Sequence, residues 1–247
     1  MIEIFTILIF SALQSIFGIG ILFFGTPTLI LLGFSFAETL SVVLPASIAV
    51  SLLQIISGEL PQKAWRNQFW IWCLSPMVLL LVMVLWRNWT VELELVIALT
   101  LLSYVLIRIS PAFHRNFREL LKKHPQSCLA VIGAVHGLSN LGGGLLAIFA
   151  ANSFNDKLIV RSHIAFCYLC FALIQLTTLA VLIPDVMQWM QLVYAAIAAG
   201  VFLALENRVF SRISMPVFDK VFTILIGGYS TLILLKFFGA LTVPATT

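Results

Sequence analysis

The chain has 247 residues, of which 61% are hydrophobic and only 10% charged, and its mean hydropathy is +1.09. A soluble globular domain carries about 25% charged residues, so that class is excluded and most of the surface must face lipid. The net charge of +4 does not point to nucleic acid, because the basic residues lie in short loops between apolar runs rather than on one folded face.

A bilayer core about 30 Å thick needs roughly 20 apolar residues per helical span. On that measure the sequence predicts spans near 4–24, 37–57, 68–86 and 92–110, then near 128–151, 162–183, 187–205 and 217–238. The start, Met1-Ile2-Glu3-Ile4-Phe5, has neither a basic leader nor a small-residue cleavage site, so the first run is expected to stay as a span. The predicted fold is all-α: a polytopic membrane protein of about eight transmembrane helices in two related four-helix halves, each opening on a Gly-interrupted helix. It forms a single transmembrane domain over 1–247, with a first repeat over 1–110, a connecting segment over 111–126 and a second repeat over 127–247.

The connecting segment is the one sizeable polar stretch. Arg115, Arg118, Lys122 and Lys123 alternate with Phe113, Phe117, Leu120 and Leu121 between Pro111 and Pro125, the pattern of a short interfacial helix. Its charges favour a cytoplasmic position, but Lys157, Arg161, Arg208, Arg212 and Lys220 oppose them across simple alternation, which leaves orientation open. Trp65, Trp70, Trp72, Trp86, Trp89 and Trp189 cluster near span ends and read as headgroup anchors. Glu38 precedes the second span and reads as a helix N-terminal acid; Glu92 and Glu94 also begin a span. Cys73, Cys128, Cys167 and Cys170 all sit in apolar surroundings, so the CxxC spacing of Cys167 and Cys170 reads as small hydrophobes on a helix rather than a redox or metal pair.

The halves align on their glycines. Ser15-Ile16-Phe17-Gly18-Ile19-Gly20-Ile21-Leu22 falls on Ser139-Asn140-Leu141-Gly142-Gly143-Gly144-Leu145-Leu146, and Gln54 falls on Gln175 after a three-residue change of offset. A helix interrupted by such glycines, with Pro27 following in the first half, frees backbone groups whose exposure to lipid costs several kcal/mol each. A break of this kind persists where it is buried in protein or lines an aqueous cavity, and paired breaks in two halves point to a transporter's binding site. The alternative use of the same glycines is close helix packing.

Gly18-Ile19-Gly20 with Pro27, and Asn140-Leu141-Gly142-Gly143-Gly144, each opening a four-span half, resemble the sulfite exporter TauE/SafE family of membrane permeases. The first half departs from the pattern at Ile19 and Ile21, and Ala151-Asn152 stands where a proline would be expected. The resemblance implies about eight helices, two related halves and a small sulfur-containing anion, such as sulfite or an organosulfonate, as substrate.

Around the breaks lie Gln14, Ser15, Gly18 and Gly20, and then His136, Ser139, Asn140, Gly142, Gly143 and Gly144; Gln54 and Gln175 lie in the spans that follow. These are the candidate substrate-binding residues, since half-helix N-termini favour anions and buried amides need partners. Arg161 and His163 open the sixth span and are candidates for anion attraction or proton coupling. The expected partners are the lipid bilayer, a small anionic solute and protons. A homo-oligomer is compatible with the sequence, and no cofactor, metal or nucleic acid is expected. The expected location is the bacterial inner membrane, and the expected mechanism is alternating access. The alternatives are an intramembrane hydrolase using Ser139 and His163, and a non-transporting membrane subunit.

Overall fold

A computed structural model describes residues 1–58, 60–86, 93–154, 156–209, 224, 227–236 and 238. Every regular element among them is helical: α1 (Ile2–Phe17), α2 (Thr26–Leu31), α3 (Phe36–Ile56), α4 (Lys63–Phe69), α5 (Ser75–Trp86), α6 (Leu93–Ile109), α7 (Pro111–Lys123), α8 (Pro125–Ser139), α9 (Gly143–Ser153), α10 (Lys157–Leu182) and α11 (Met190–Val209). A further helical run covers 227–236.

Three helices among the described residues are long and apolar enough to cross a membrane alone: Phe36–Ile56, Trp65–Trp86 and Leu158–Leu182. The spans expected near 4–24 and 128–151 are instead each split into two shorter helices. Most of the span expected near 217–238, together with Trp89, Glu92, Arg212 and Lys220, lies outside the described residues.

Proline shapes two of these helices in the same way. Proline cannot donate to the carbonyl four residues back and its ring crowds that carbonyl. A wide π-helical turn, Ile21–Gly25, leads into α2 ahead of Pro27, and another, Trp70–Leu74, joins α4 to α5 ahead of Pro76. The extra residue in each turn absorbs the mismatch, a usual origin of π-bulges.

The start of α3 follows its local sequence. Ser35 Oγ accepts from the Glu38 N–H while the Glu38 carboxylate accepts from the Ser35 N–H at 2.8 Å, a reciprocal capping box. Glu38 thus takes the role expected of a helix N-terminal acid. The bend into α7 is 101°, so this basic helix runs across the preceding one. Its cationic side chains are exposed and Leu121 is buried.

Packing joins helices far apart in the chain. α3 lies along both α10 and α11, α1 packs on α11, and α8 packs on α5 and the π turn before it. The last contact uses two glycines one turn apart: a Cβ on Gly133 would collide with the Cys73 carbonyl and one on Gly137 with the Met77 carbonyl. Close packing through small residues therefore operates here, on α8. Trp70, Trp72, Trp86 and Trp189 are exposed on the outer surface as anchors should be. Trp65 is not: its ring stacks on Phe69 and meets the edge of His163.

Candidate functional site at the two helix breaks

The first break begins where α1 ends. Gly18 adopts φ 76°, a left-handed conformation that suits glycine, and its N–H donates to the Gln14 carbonyl at 2.8 Å. The chain then folds back so tightly that a Cβ on Gly20 would strike the backbone of Gln14 and Phe10. The freed backbone is satisfied locally. Gln14 Oε1 accepts from the Ile21 N–H at 3.1 Å, while Nε2 donates to Ser51 Oγ at 3.2 Å and Ser47 Oγ at 3.3 Å. Gln54 Nε2 donates to the Gln14 carbonyl at 2.8 Å, and Ser15 Oγ donates to the Ser11 carbonyl of its own helix at 2.7 Å. Gln14 is therefore a staple across the break.

At the second break α8 ends on Asn140, whose φ of 62° makes it the one non-glycine residue with positive φ among those described. Its N–H donates to the His136 carbonyl at 2.8 Å, and a Cβ on Gly142 would strike the Ile132 carbonyl and His136. Asn140 Nδ2 donates to Thr26 Oγ1 at 2.8 Å, which brings the second break against α2.

Helix α9 then starts at Gly143, and the first four N–H groups of a helix have no partner within it. Here the Gly144 N–H reaches the Leu141 carbonyl, Leu146 reaches Gly142, and Leu145 donates to the Tyr104 hydroxyl, which itself donates to the Leu141 carbonyl at 2.7 Å. That leaves the Gly143 N–H. The Tyr168 hydroxyl lies against the same Gly143, where a Cβ would collide with it, and that fully buried oxygen has no partner among the described residues. Beside it, the His136 ring stacks on Phe171 at 3.9 Å, and its Nε2 lies 3.3 Å from Gln175 Oε1. His136 Nδ1, Gln175 Nε2 and Asn140 Oδ1 are likewise buried without partners among the described residues.

The cap geometry sets Gly18 against Asn140, Gly20 against Gly142 and Gln14 against His136. This register lies two residues from the alignment that pairs Ser15 with Ser139. The left-handed cap is glycine at the first break and asparagine at the second. In the new register Gln54 and Gln175 keep the same relation to their breaks, each bonding the residue one turn before the cap. The chemistry nevertheless differs: at the first break Gln14 staples the freed backbone and Gln54 Oε1 is left without a partner among the described residues, whereas at the second the Tyr168 hydroxyl, His136 Nδ1, Gln175 Nε2 and Asn140 Oδ1 all are.

Of the two cationic candidates, Arg161 belongs here. It is buried, and its Cγ would lie 3.5 Å from a Cβ on Gly18. His163 does not join them. Two residues along α10 is about 200° around the helix, and its ring is clamped between Trp65 and Phe154, with Nδ1 2.8 Å from the Ile159 carbonyl. No hydrogen bond joins His163 to Ser139, whose hydroxyl donates to the Val135 carbonyl at 2.8 Å. The four cysteines are free thiols, and no cluster of metal-binding side chains occurs among the described residues.

Thr26, Ser47, Ser51, Tyr104 and Tyr168 escaped the sequence reading. Ser47, Ser51 and Gln54 share one face of α3 at spacings of four and three, a polar stripe in an apolar span that could have been noticed. Tyr168 lies on the same helix face as Arg161 and Gln175, seven residues from each.

No curated protein and no solved structure matches the chain. A family model described as sulfite exporter TauE/SafE matches residues 3–233, nearly its whole length. Tied-together helix breaks in an apolar helical chain suit such a protein, and the match is decisive: this is an integral membrane protein belonging to the sulfite exporter TauE/SafE family.

Proposed function

We propose that the chain is a secondary exporter that binds a small sulfur-containing oxyanion at the second break. Family membership implies a membrane exporter of sulfite or a related anion; the site, the mechanism and the substrate are the proposal. The observation that carries it is the unsatisfied polar group at the start of α9. A buried hydroxyl or amide without a partner costs about 1–3 kcal/mol, and here the Tyr168 hydroxyl lies against Gly143 at a helix N-terminus, where an anion gains from the helix dipole, with the His136 and Gln175 pair beside it. Arg161 adds a fixed positive charge near the first break.

In this reading the halves are a duplicated four-helix unit in a bacterial inner membrane. Movement of one half against the other exposes the breaks alternately to each side. The bond from Asn140 to Thr26 would then couple the two units during that movement. Purified protein in liposomes should move sulfite, thiosulfate or an alkanesulfonate down an imposed gradient, and a Gly143→Leu variant should not. A wild-type protein that moves none of these would sink the reading.

A further inference from the structure

We propose that α7 is a docking surface for anionic phospholipid, on which Phe113 and Leu120 enter the acyl boundary of the membrane while Arg115, Arg118 and Lys122 bind headgroup phosphates. The inference stands apart from the exporter reading and rests only on the chain being an integral membrane protein.

Local sequence makes α7 a helix in its own right. Pro111 takes the first position, where a missing N–H costs nothing, and the Ser110 hydroxyl caps the helix by accepting from the Phe113 N–H. Lys122 and Lys123 fall in the last turn, where cations meet the negative end of the helix dipole. The helix leaves the apolar α6 at 101°, so a membrane entered along α6 has α7 lying flat on its surface.

Around the helix axis the side chains separate into three sectors. At about 100° and 1.5 Å per residue, Arg115, Arg118 and Lys122 fall within roughly 60° of one another along about 10 Å of helix. All three are exposed, and none is paired with a carboxylate among the described residues, Glu119 of the same helix included. Phe113 and Leu120 stand on the opposite side, 55% and 47% exposed, as large apolar side chains left uncovered by the described fold. Phe117 and Leu121 occupy one flank between these sectors and turn into the protein, Leu121 buried and Phe117 packed against the core. A soluble acidic partner would meet the cations alone. The apolar pair opposite them selects a membrane, into which such a helix sinks by about 5–10 Å with its basic face at headgroup level. Net negative lipid is the matching charge, since a row of Lys and Arg is drawn to an anionic surface.

The test uses the full chain in detergent, titrated with phosphatidylglycerol or phosphatidylcholine of the same acyl chains, with bound lipid counted by native mass spectrometry. Each basic residue near an anionic surface is worth about fivefold in affinity. Wild type should therefore hold phosphatidylglycerol at least about tenfold more tightly than phosphatidylcholine. The combined variant Arg115→Gln, Arg118→Gln, Lys122→Gln should bring the two lipids within about twofold, while Lys63→Gln, an exposed cation on α4, should keep the wild-type preference. An undiminished preference in the combined variant, or an equal loss in Lys63→Gln, would overturn the assignment to α7. A wild type indifferent to the two lipids would overturn it as well and leave a soluble acidic partner as the occupant. Should the combined variant fail to fold, Arg118→Gln alone decides, by a loss of about fivefold. In liposomes, a fluorophore on Phe113→Cys should be quenched by brominated acyl chains; one that stays unquenched would overturn the seating of this face in the membrane. None of these outcomes depends on whether the protein carries sulfite.

Discussion

Asn140 donates through Nδ2 to Thr26 Oγ1 over 2.8 Å, tying the left-handed cap of α8 to the half-helix that follows the first break. Two short polar residues therefore hold together segments more than a hundred positions apart in the chain. Thr26→Val keeps the volume and removes the acceptor, leaving the amide buried without a partner. It should destabilise the detergent-solubilised protein by about 1–3 kcal/mol. Asn140→Gly should cost less than Asn140→Val, because glycine accepts positive φ without strain while a β-branched residue there adds about 1–2 kcal/mol. Thermal unfolding of the three variants, ranked by midpoint, checks the order.

Gln14 and Gln54 are both buried amides beside the first break, yet they should differ in mutational cost. Gln14 bonds with both ends of its amide, to Ile21 on one side and to Ser47 and Ser51 on the other. Gln54 makes one bond, to the Gln14 carbonyl, and its Oε1 has no partner among the described residues. Gln14→Leu should strand two to three polar groups and lower stability by about 3 kcal/mol or more, whereas Gln54→Leu should cost about 1 kcal/mol. Equal unfolding midpoints for the two variants would contradict the staple.

The breaks were legible in the sequence because glycine at Gly18, Gly20 and Gly142 answers a local need, for left-handed backbone or for contact with a preceding carbonyl. The capping box at Ser35 and Glu38 and the basic helix α7 were legible for the same reason: each depends on residues within one or two turns. The register of the breaks was not, since Asn140 fills the left-handed position as well as glycine does and so hides the match. Nor were the partners of Gln14, which come from a helix more than thirty residues away and depend on how α3 docks. The surroundings of His163 were hidden for a related reason. Its place at the start of an apolar helix resembles that of Arg161, but the two point in different directions around α10, and only the packing of Trp65 and Phe154 reveals which side is which.

That placement yields a prediction about proton coupling. His163 is held by aromatic rings and by a carbonyl of its own helix, away from the breaks. His163→Phe should preserve the ring contacts and leave sulfite transport with the wild-type pH profile between about pH 5.5 and 8, the range in which a histidine changes charge. A profile flattened or shifted by about one pH unit in His163→Phe liposomes would show that the imidazole titrates during transport and would restore it to the site.

Tyr104 and Tyr168 face opposite consequences from the same substitution. The Tyr104 hydroxyl donates to the Leu141 carbonyl and accepts from the Leu145 N–H, so it closes the second break on both sides, and its ring packs against Phe23. Tyr104→Phe removes two buried bonds and strands their backbone partners, which should lower stability by about 2–4 kcal/mol. The Tyr168 hydroxyl has no partner among the described residues, so Tyr168→Phe should leave the unfolding midpoint unchanged or raise it by the equivalent of about 1 kcal/mol. Measured with and without millimolar sulfite, the pair separates structure from binding. Sulfite should stabilise the Tyr104→Phe protein by a similar increment to wild type, because ligand stabilisation follows the occupancy of an intact site. It should stabilise Tyr168→Phe much less. A full sulfite-induced shift in Tyr168→Phe would mean that the free hydroxyl at Gly143 contributes nothing to holding the anion.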